Sequence, residues 1–224
     1  MWDGRKDTLE EQALGPMESA AEMNLDMEQL PIILGNIPGY AVLFKEAFPN
    51  QSDPISAKNV AKAIATFERT VVSGEAPFDR WIKGDEAALS DEEKQGFIVF
   101  NSKGGCAGCH SGWAFSDSSF HDIGLSSEDI GRGKLLPKIE KMQFAFKTVG
   151  LRNIALRAPY MHDGSIETLE GVVDHYNSKF IRRPSLSDEI EPLNLTNEEK
   201  KQLVAFLKTL TSPDEGVSVP VLPR

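Results

Sequence analysis

A chain of 224 residues with 40% hydrophobic content can hold one large domain, or one and a half small ones, around a real core. Its formal net charge of −10 argues against nucleic acid and anionic membranes as partners, while suiting a basic redox protein. No apolar run is long enough to span a membrane, and Met1 is followed at once by Trp2-Asp3-Gly4-Arg5, without a basic or apolar leader.

Taken in chain order, the apolar spacing is helical almost throughout. Ser56 opens a segment in which Val60, Ala61, Ile64, Ala65, Phe67 and Val71 share one side, with Gly74 as its end. Ser90-Asp91-Glu92-Glu93 has the form of a capping box and leads into Gly96, Phe97, Val99 and Phe100. A further helix is expected from Ser165 to Tyr176, with Ile166, Leu169, Val172 and Val173 inward. Thr196-Asn197-Glu198-Glu199 repeats the capping-box form ahead of Leu203, Val204, Phe206, Leu207 and Leu210. Long irregular stretches lie between, at 35–38, 49–54, 111–133 and 178–192, with no alternating strand series and no repeat. The segment 212–224, rich in Pro, Val and Ser, reads as an extended tail. The fold expected is therefore mainly α, with a division between an N-terminal helical part, 1–84, and a second part, 85–211.

Both cysteines of the chain fall in Cys106-Ala107-Gly108-Cys109-His110. Thiols three residues apart can take up the two vinyl groups of a haem as thioethers, and the histidine that follows is placed to ligate the iron. On a helical turn, positions i, i+3 and i+4 share a face, so the spacing suits one flat macrocycle. A thioredoxin-like Cys-x-x-Cys needs a βαβ setting, which Lys103-Gly104-Gly105 and Ser111-Gly112-Trp113 do not supply. A structural zinc site wants about four Cys/His ligands, and there is no second cysteine pair. The motif reads as covalent haem c. By chemistry the sixth ligand stays open among Met142, Met161, His121, His162, His175 and Tyr176, Met or His being the usual partners of an electron-transfer haem. His162, beside Asp163 and Gly164, is expected to bond a haem propionate or to order its turn, and His121 to line the pocket edge.

Several separate motifs, in order from Trp2 to about Thr211, resemble the bacterial di-haem cytochrome c peroxidases, a family that includes the methylamine-utilisation enzyme maturing tryptophan tryptophylquinone. They are Trp2-Asp3-Gly4-Arg5 with Leu9-Glu10-Glu11-Gln12-Ala13 and Pro16, Phe67-Glu68-Arg69-Thr70, and Pro77-Phe78-Asp79-Arg80-Trp81. Further on come Cys106 to His110 with Phe120-His121-Asp122-Ile123-Gly124, and Leu151-Arg152-Asn153 to Ala158-Pro159-Tyr160-Met161-His162-Asp163-Gly164. The family carries two Cys-x-x-Cys-His motifs, and this chain has one. The expectation is a C-terminal part of a longer protein. Residues 1–84 would be the remainder of the peroxidatic haem domain, and 85–211 a cytochrome c-like haem domain. An export signal upstream and a periplasmic location would follow.

The resemblance also implies roles. Tyr176 falls where the peroxidases have a methionine ligand and the methylamine-utilisation type has tyrosine; a phenolate favours the ferric and higher states and lowers the potential. His175 is the rival if the register slips by one. Gln12, Pro16 and Glu22 map onto the distal pocket of the first haem, Glu22 as the group that takes and returns a proton in peroxide cleavage, Gln12 as the group that orients the peroxide. Trp2 matches a tryptophan between the haems that could carry an electron or a hole. Calcium, held partly by backbone carbonyls at Arg157 and Pro159, hydrogen peroxide, a small redox protein as electron donor, and a homodimer complete the expectation. The other reading is a single-haem electron carrier without peroxidase chemistry, in which a pocket glutamate has no use.

Overall fold

The computed structural model describes residues 1–213 and 218–224, and the chain forms two compact units. Helices dominate both, and among the described residues no helix is long and apolar enough to cross a membrane.

The first unit contains residues 6–72 with Met1 and the end of the tail. It holds α1 (Leu9–Glu18), α2 (Gln29–Gly35), α3 (Pro38–Ala47) and α4 (Ala57–Glu68). Side-chain caps start α1 and α4: the Thr8 hydroxyl accepts from Glu11 N–H and the Ser56 hydroxyl from Asn59 N–H. Met17, Leu30, Phe44, Ile55 and Val60 form the core, and at the end of α3 the ring of Phe44 stacks on that of the cap residue Phe48 at 6.0 Å. The expected end of α4 at Gly74 is corrected to Glu68. The Thr70 hydroxyl donates back to the Phe67 carbonyl at 2.7 Å, a local bond that competes with helix continuation, and Phe67 and Val71 are exposed. Of the tail 212–224, residues 214–217 lie outside the described residues; 218–224 form no helix or strand, and the Arg224 carbonyl accepts from Gly39 N–H at 3.2 Å.

The second unit joins Trp2–Arg5 to residues 73–213. It contains α5 (Pro77–Ile82), α6 (Asp91–Asn101), α7 (Leu169–Asp174) and α8 (Asn197–Lys208). Ser90 and Thr196 close true capping boxes with Glu93 and Glu199, as the sequence pattern predicts. α6 packs on α8 at Gly96, where a Cβ would lie 1.9 Å from the Gln202 carbonyl oxygen. Phe206 of α8 is wholly buried and touches the rings of Phe78, Phe97 and Phe100 at 5.1–5.6 Å. The change between compact units falls between Val72 and Ser73, ahead of the expected division at 84/85, because Phe78 of α5 belongs to this second core.

Two further expectations are corrected here. The stretch 111–133 includes β1 (Phe120–His121), which pairs antiparallel with β2 (Phe146–Lys147). Two-residue strands are too short to show alternation. The helix expected from Ser165 starts instead at the Thr168 cap, since Ile166 is engaged in a bridge with Tyr160. It passes at its end into a single π-helical turn, His175–Lys179.

Candidate haem site

The Cys-x-x-Cys-His segment follows α6 after residues 102–105. Gly104 turns the chain there: its N–H donates to the Val99 carbonyl at 2.8 Å, and a Cβ would come within 2.7 Å of that same oxygen. Gly105 takes a left-handed φ of +61°, which a side chain would strain. Cys106–Gly108 then form one 3₁₀ turn, and the N–H groups of both Cys109 and His110 donate to the Cys106 carbonyl at 3.3 and 2.8 Å. This tight turn gathers Cys106, Cys109 and His110 on the wall of one cleft, with apolar walls from Leu151, Ile154, Val173, Leu203 and Leu207.

His110 Nδ1 lies 2.8 Å from the Phe115 carbonyl oxygen. A carbonyl only accepts, so Nδ1 carries the proton and Nε2 keeps its lone pair. Burial lowers the pKa of the ring and holds it neutral, the form that ligates a metal. Burial also pushes the Cys106 thiol up to about 12, so it is an uncharged thiol, donating weakly to the Gly104 carbonyl at 3.3 Å.

Tyr176 sits in the π turn and opens onto the same cleft. Burial raises its phenol pKa, and the nearby Cys106 and Cys109 add to the rise. Single π turns of this kind recur at functional sites. The rival donors are placed differently. His175 is 5% exposed and spends its Nε2–H on the Ile123 carbonyl at 2.8 Å. His121 uses both nitrogens, with Asp117 at 2.8 Å and the Ser187 hydroxyl at 2.7 Å, and its pKa is pushed up to about 9 by contact with the Cys109 sulfur and then by Asp117. Ligand atoms of Cys109, Asp117 and His121 lie within 4.8 Å of one another. Met161 lines the cleft, whereas Met142 belongs to a 3₁₀ turn away from its walls.

His162 is the unsatisfied group of the site. Its ring stacks on Phe146 at 3.6 Å, both ring nitrogens are buried without a hydrogen-bond partner, and burial lowers its pKa. A buried imidazole with no partner calls for a polar group in the cleft it lines. Two thiols on one turn, a neutral imidazole with a free Nε2, apolar walls, a phenol and this orphaned donor together fit a covalently attached haem.

Trp2 also lines the cleft. Its carbonyl accepts from Lys147 N–H at 2.8 Å, and Arg132 donates to the Asp3 and Gly4 carbonyls at 3.0 and 3.2 Å. Gly4, at φ +69°, leaves no room for a Cβ against the Phe120 ring at 2.3 Å. Gln12 and Pro16 lie on α1 of the other compact unit, and Glu22 follows that helix, exposed, in a turn closed by Glu22 N–H to the Ser19 carbonyl at 3.0 Å. None of the three lines the cleft. Arg157 and Pro159 are exposed, between the 3₁₀ turn Ile154–Leu156 and the Tyr160–Ile166 bridge.

Sequence reasoning passed over the ionic pairs that brace this region. Asp79, 9% exposed, receives two parallel bonds of 2.8 Å from Arg152, whose guanidinium lies over the Trp113 ring at 4.6 Å. Asp122, 1% exposed, takes Arg183, the Ser185 hydroxyl and Gly124 N–H. Both aspartates and Arg152 stand inside the motifs quoted above, which was the one signal available for them. Nothing local marks Arg183, 61 residues from its partner.

The family model described as di-haem cytochrome c peroxidase matches residues 1–87. Methylamine utilization protein MauG of Methylorubrum extorquens is 50% identical over 99% of this chain and 63% of its own length. The protein of the same name from Methylophilus methylotrophus is 48% identical over 100% of this chain and 67% of its own. The chain thus spans about two thirds of the length of these relatives. A solved structure of a MauG-like protein associated with microbial copper homeostasis superposes with a TM-score of 0.79 at 32% identity, covering 91% of this chain and 69% of that one. With sequence and fold in agreement over nearly its whole length, the chain belongs to the di-haem cytochrome c peroxidase family.

Proposed function

We propose that this chain is the electron-handling part of a two-haem oxidoreductase that reduces hydrogen peroxide to water, or uses peroxide to oxidise a protein. Haem c would be attached at Cys106 and Cys109 and held by His110 and Tyr176, and it would supply one-electron chemistry. The observation that carries the reading is the single cleft onto which both cysteines, His110 and Tyr176 open. His110 serves through Nε2, oriented by its bond to Phe115. Tyr176 would hold the group through its phenol oxygen, on a side chain that opens onto the same cleft. The apolar walls would exclude water from the group, and His162, whose two ring nitrogens are buried without a partner, would hold a propionate.

Gln12 and Glu22 are assigned to the peroxide pocket of the other haem, Glu22 moving the proton between the two peroxide oxygens. Trp2, on the wall of the cleft, is assigned to electron transfer between the haems. A periplasmic location, a small redox protein as donor, a homodimer and calcium at the Arg157 and Pro159 carbonyls complete the proposal. Protein oxidation is favoured as the variant by Tyr176, whose phenolate lowers the potential, and by about half identity to the two methylamine utilization proteins.

The test is Tyr176→Phe in the haem-loaded protein. We expect an altered ferric spectrum and a raised midpoint potential; an unaltered spectrum and potential would remove Tyr176 as ligand. Peroxide turnover separates enzyme from carrier. The 224 residues alone should turn over little, and rapid turnover with one haem bound would contradict the assignment of the peroxide pocket to a second haem.

A further inference from the structure

The π turn holds Tyr176 by its backbone, but a phenol at the end of a short helix needs a second anchor to keep a fixed position. The residue before it supplies one. His175 is buried, its ring meets the Tyr176 ring edge-on at 5.3 Å and 80°, and its Nε2–H reaches the Ile123 carbonyl at 2.8 Å. Ile123 is itself part of the cleft wall.

The segment that presents this carbonyl is unusually well braced. On one side of Ile123, the Asp122 carboxylate gathers Arg183 Nε at 2.7 Å, Arg183 Nη2, the Ser185 hydroxyl at 2.6 Å and Gly124 N–H at 2.9 Å. On the other, Gly124 has φ +70° and its carbonyl accepts from Ile181 N–H at 2.8 Å, so close that a Cβ would lie 2.7 Å from the Ile181 oxygen. Arg183 also donates to the Leu125 carbonyl at 3.2 Å and lies over the Phe144 ring at 3.9 Å. Every acceptor position of a buried carboxylate is used, which makes the Ile123 carbonyl a fixed point.

We propose that His175 is a positioning residue for Tyr176, transmitting the rigidity of the Asp122–Arg183 frame through the Ile123 carbonyl to the phenol. The proposal rests on the reading above, in which Tyr176 would hold the haem. On this view the histidine next to the ligand is not a competing donor: its Nε2 proton is committed, and its ring serves as a stop against the tyrosine ring.

The experiment uses the haem-loaded protein and reads the ferric spectrum and midpoint potential beside thermal stability. His175→Phe keeps ring volume but removes the donor, whereas His175→Gln returns an N–H at a similar reach. The expected result is a Phe variant whose spectrum and potential move toward those of Tyr176→Phe, and a Gln variant that moves back toward the native protein. A native spectrum and potential in His175→Phe would overturn the proposal, even with a lowered melting temperature, because a structural role alone moves only stability. Should that variant fail to accumulate, Arg183→Gln, at a side chain 17% exposed, decides by the same signs. A native spectrum in Tyr176→Phe would remove the ligand reading itself. A native spectrum in His175→Phe alone removes only the positioning role.

Discussion

Asp79 and Arg152 show how one buried pair couples the region beside the Cys106–Gly108 turn to pH. The Arg152 guanidinium holds the Asp79 carboxyl below the usual aspartate range, against the opposing effect of burial. An unfolded aspartate titrates near pH 4, so the folded state binds fewer protons there; the stabilisation is complete above about pH 4 and is lost as pH falls through the lower folded value. Asp79→Asn leaves Arg152 buried without its counter-charge and should cost about 3 kcal/mol at neutral pH. In urea melts this deficit should shrink below about pH 4 as the wild-type carboxylate protonates, and a deficit that stays constant would refute the linkage. At the same scale, Glu22→Gln in the two-haem protein proposed above should slow the reaction with peroxide by roughly 100-fold or more, the usual worth of a general acid–base, and an unchanged rate would make Glu22 one more solvated carboxylate. The spacing of Cys106, Cys109 and His110 in the sequence marks them as a group, and the structure brings all three to the wall of one cleft. A lone tyrosine carries no spacing signal, so only the family resemblance pointed to Tyr176, which the structure places on the same cleft. His162 gained weight only when both its nitrogens proved buried and unpaired.

Among the elements, the contact between α6 and α8 depends on a single missing side chain. A Cβ at Gly96 would lie 1.9 Å from the Gln202 carbonyl oxygen and 2.7 Å from Phe206 Cβ. Helix propensity alone would make Gly96→Ala stabilising by about 1 kcal/mol. Overpacking against a backbone that cannot yield costs about 1–3 kcal/mol or more, so we expect a net loss of stability. Denaturant melts with an unchanged m-value should show it, and a gain in stability would contradict the close crossing. The capping boxes at Ser90 and Thr196 were readable because each is a local pattern running from the cap to the third helical residue. The ends of α4 and α7 were not. The Thr70 back-bond and the Tyr160–Ile166 bridge are decided by hydroxyl geometry and tertiary pairing, which apolar periodicity does not register.

For the whole molecule, the mainly helical fold and the family were both legible in the sequence, one from periodicity and the other from motif order. The place where the compact units change was not, because α5 and the segment Trp2–Arg5 join the second core through Phe78, Lys147 and Arg132 at long sequence separation. The account stands on covalent haem at the turn after α6. Its most direct test is the intact mass of this chain, 24.7 kDa, after expression with a cytochrome c maturation system, together with alkylation of its thiols. The account predicts the mass of the chain plus one haem, with neither Cys106 nor Cys109 open to alkylation. The bare chain mass with two reactive thiols would contradict it.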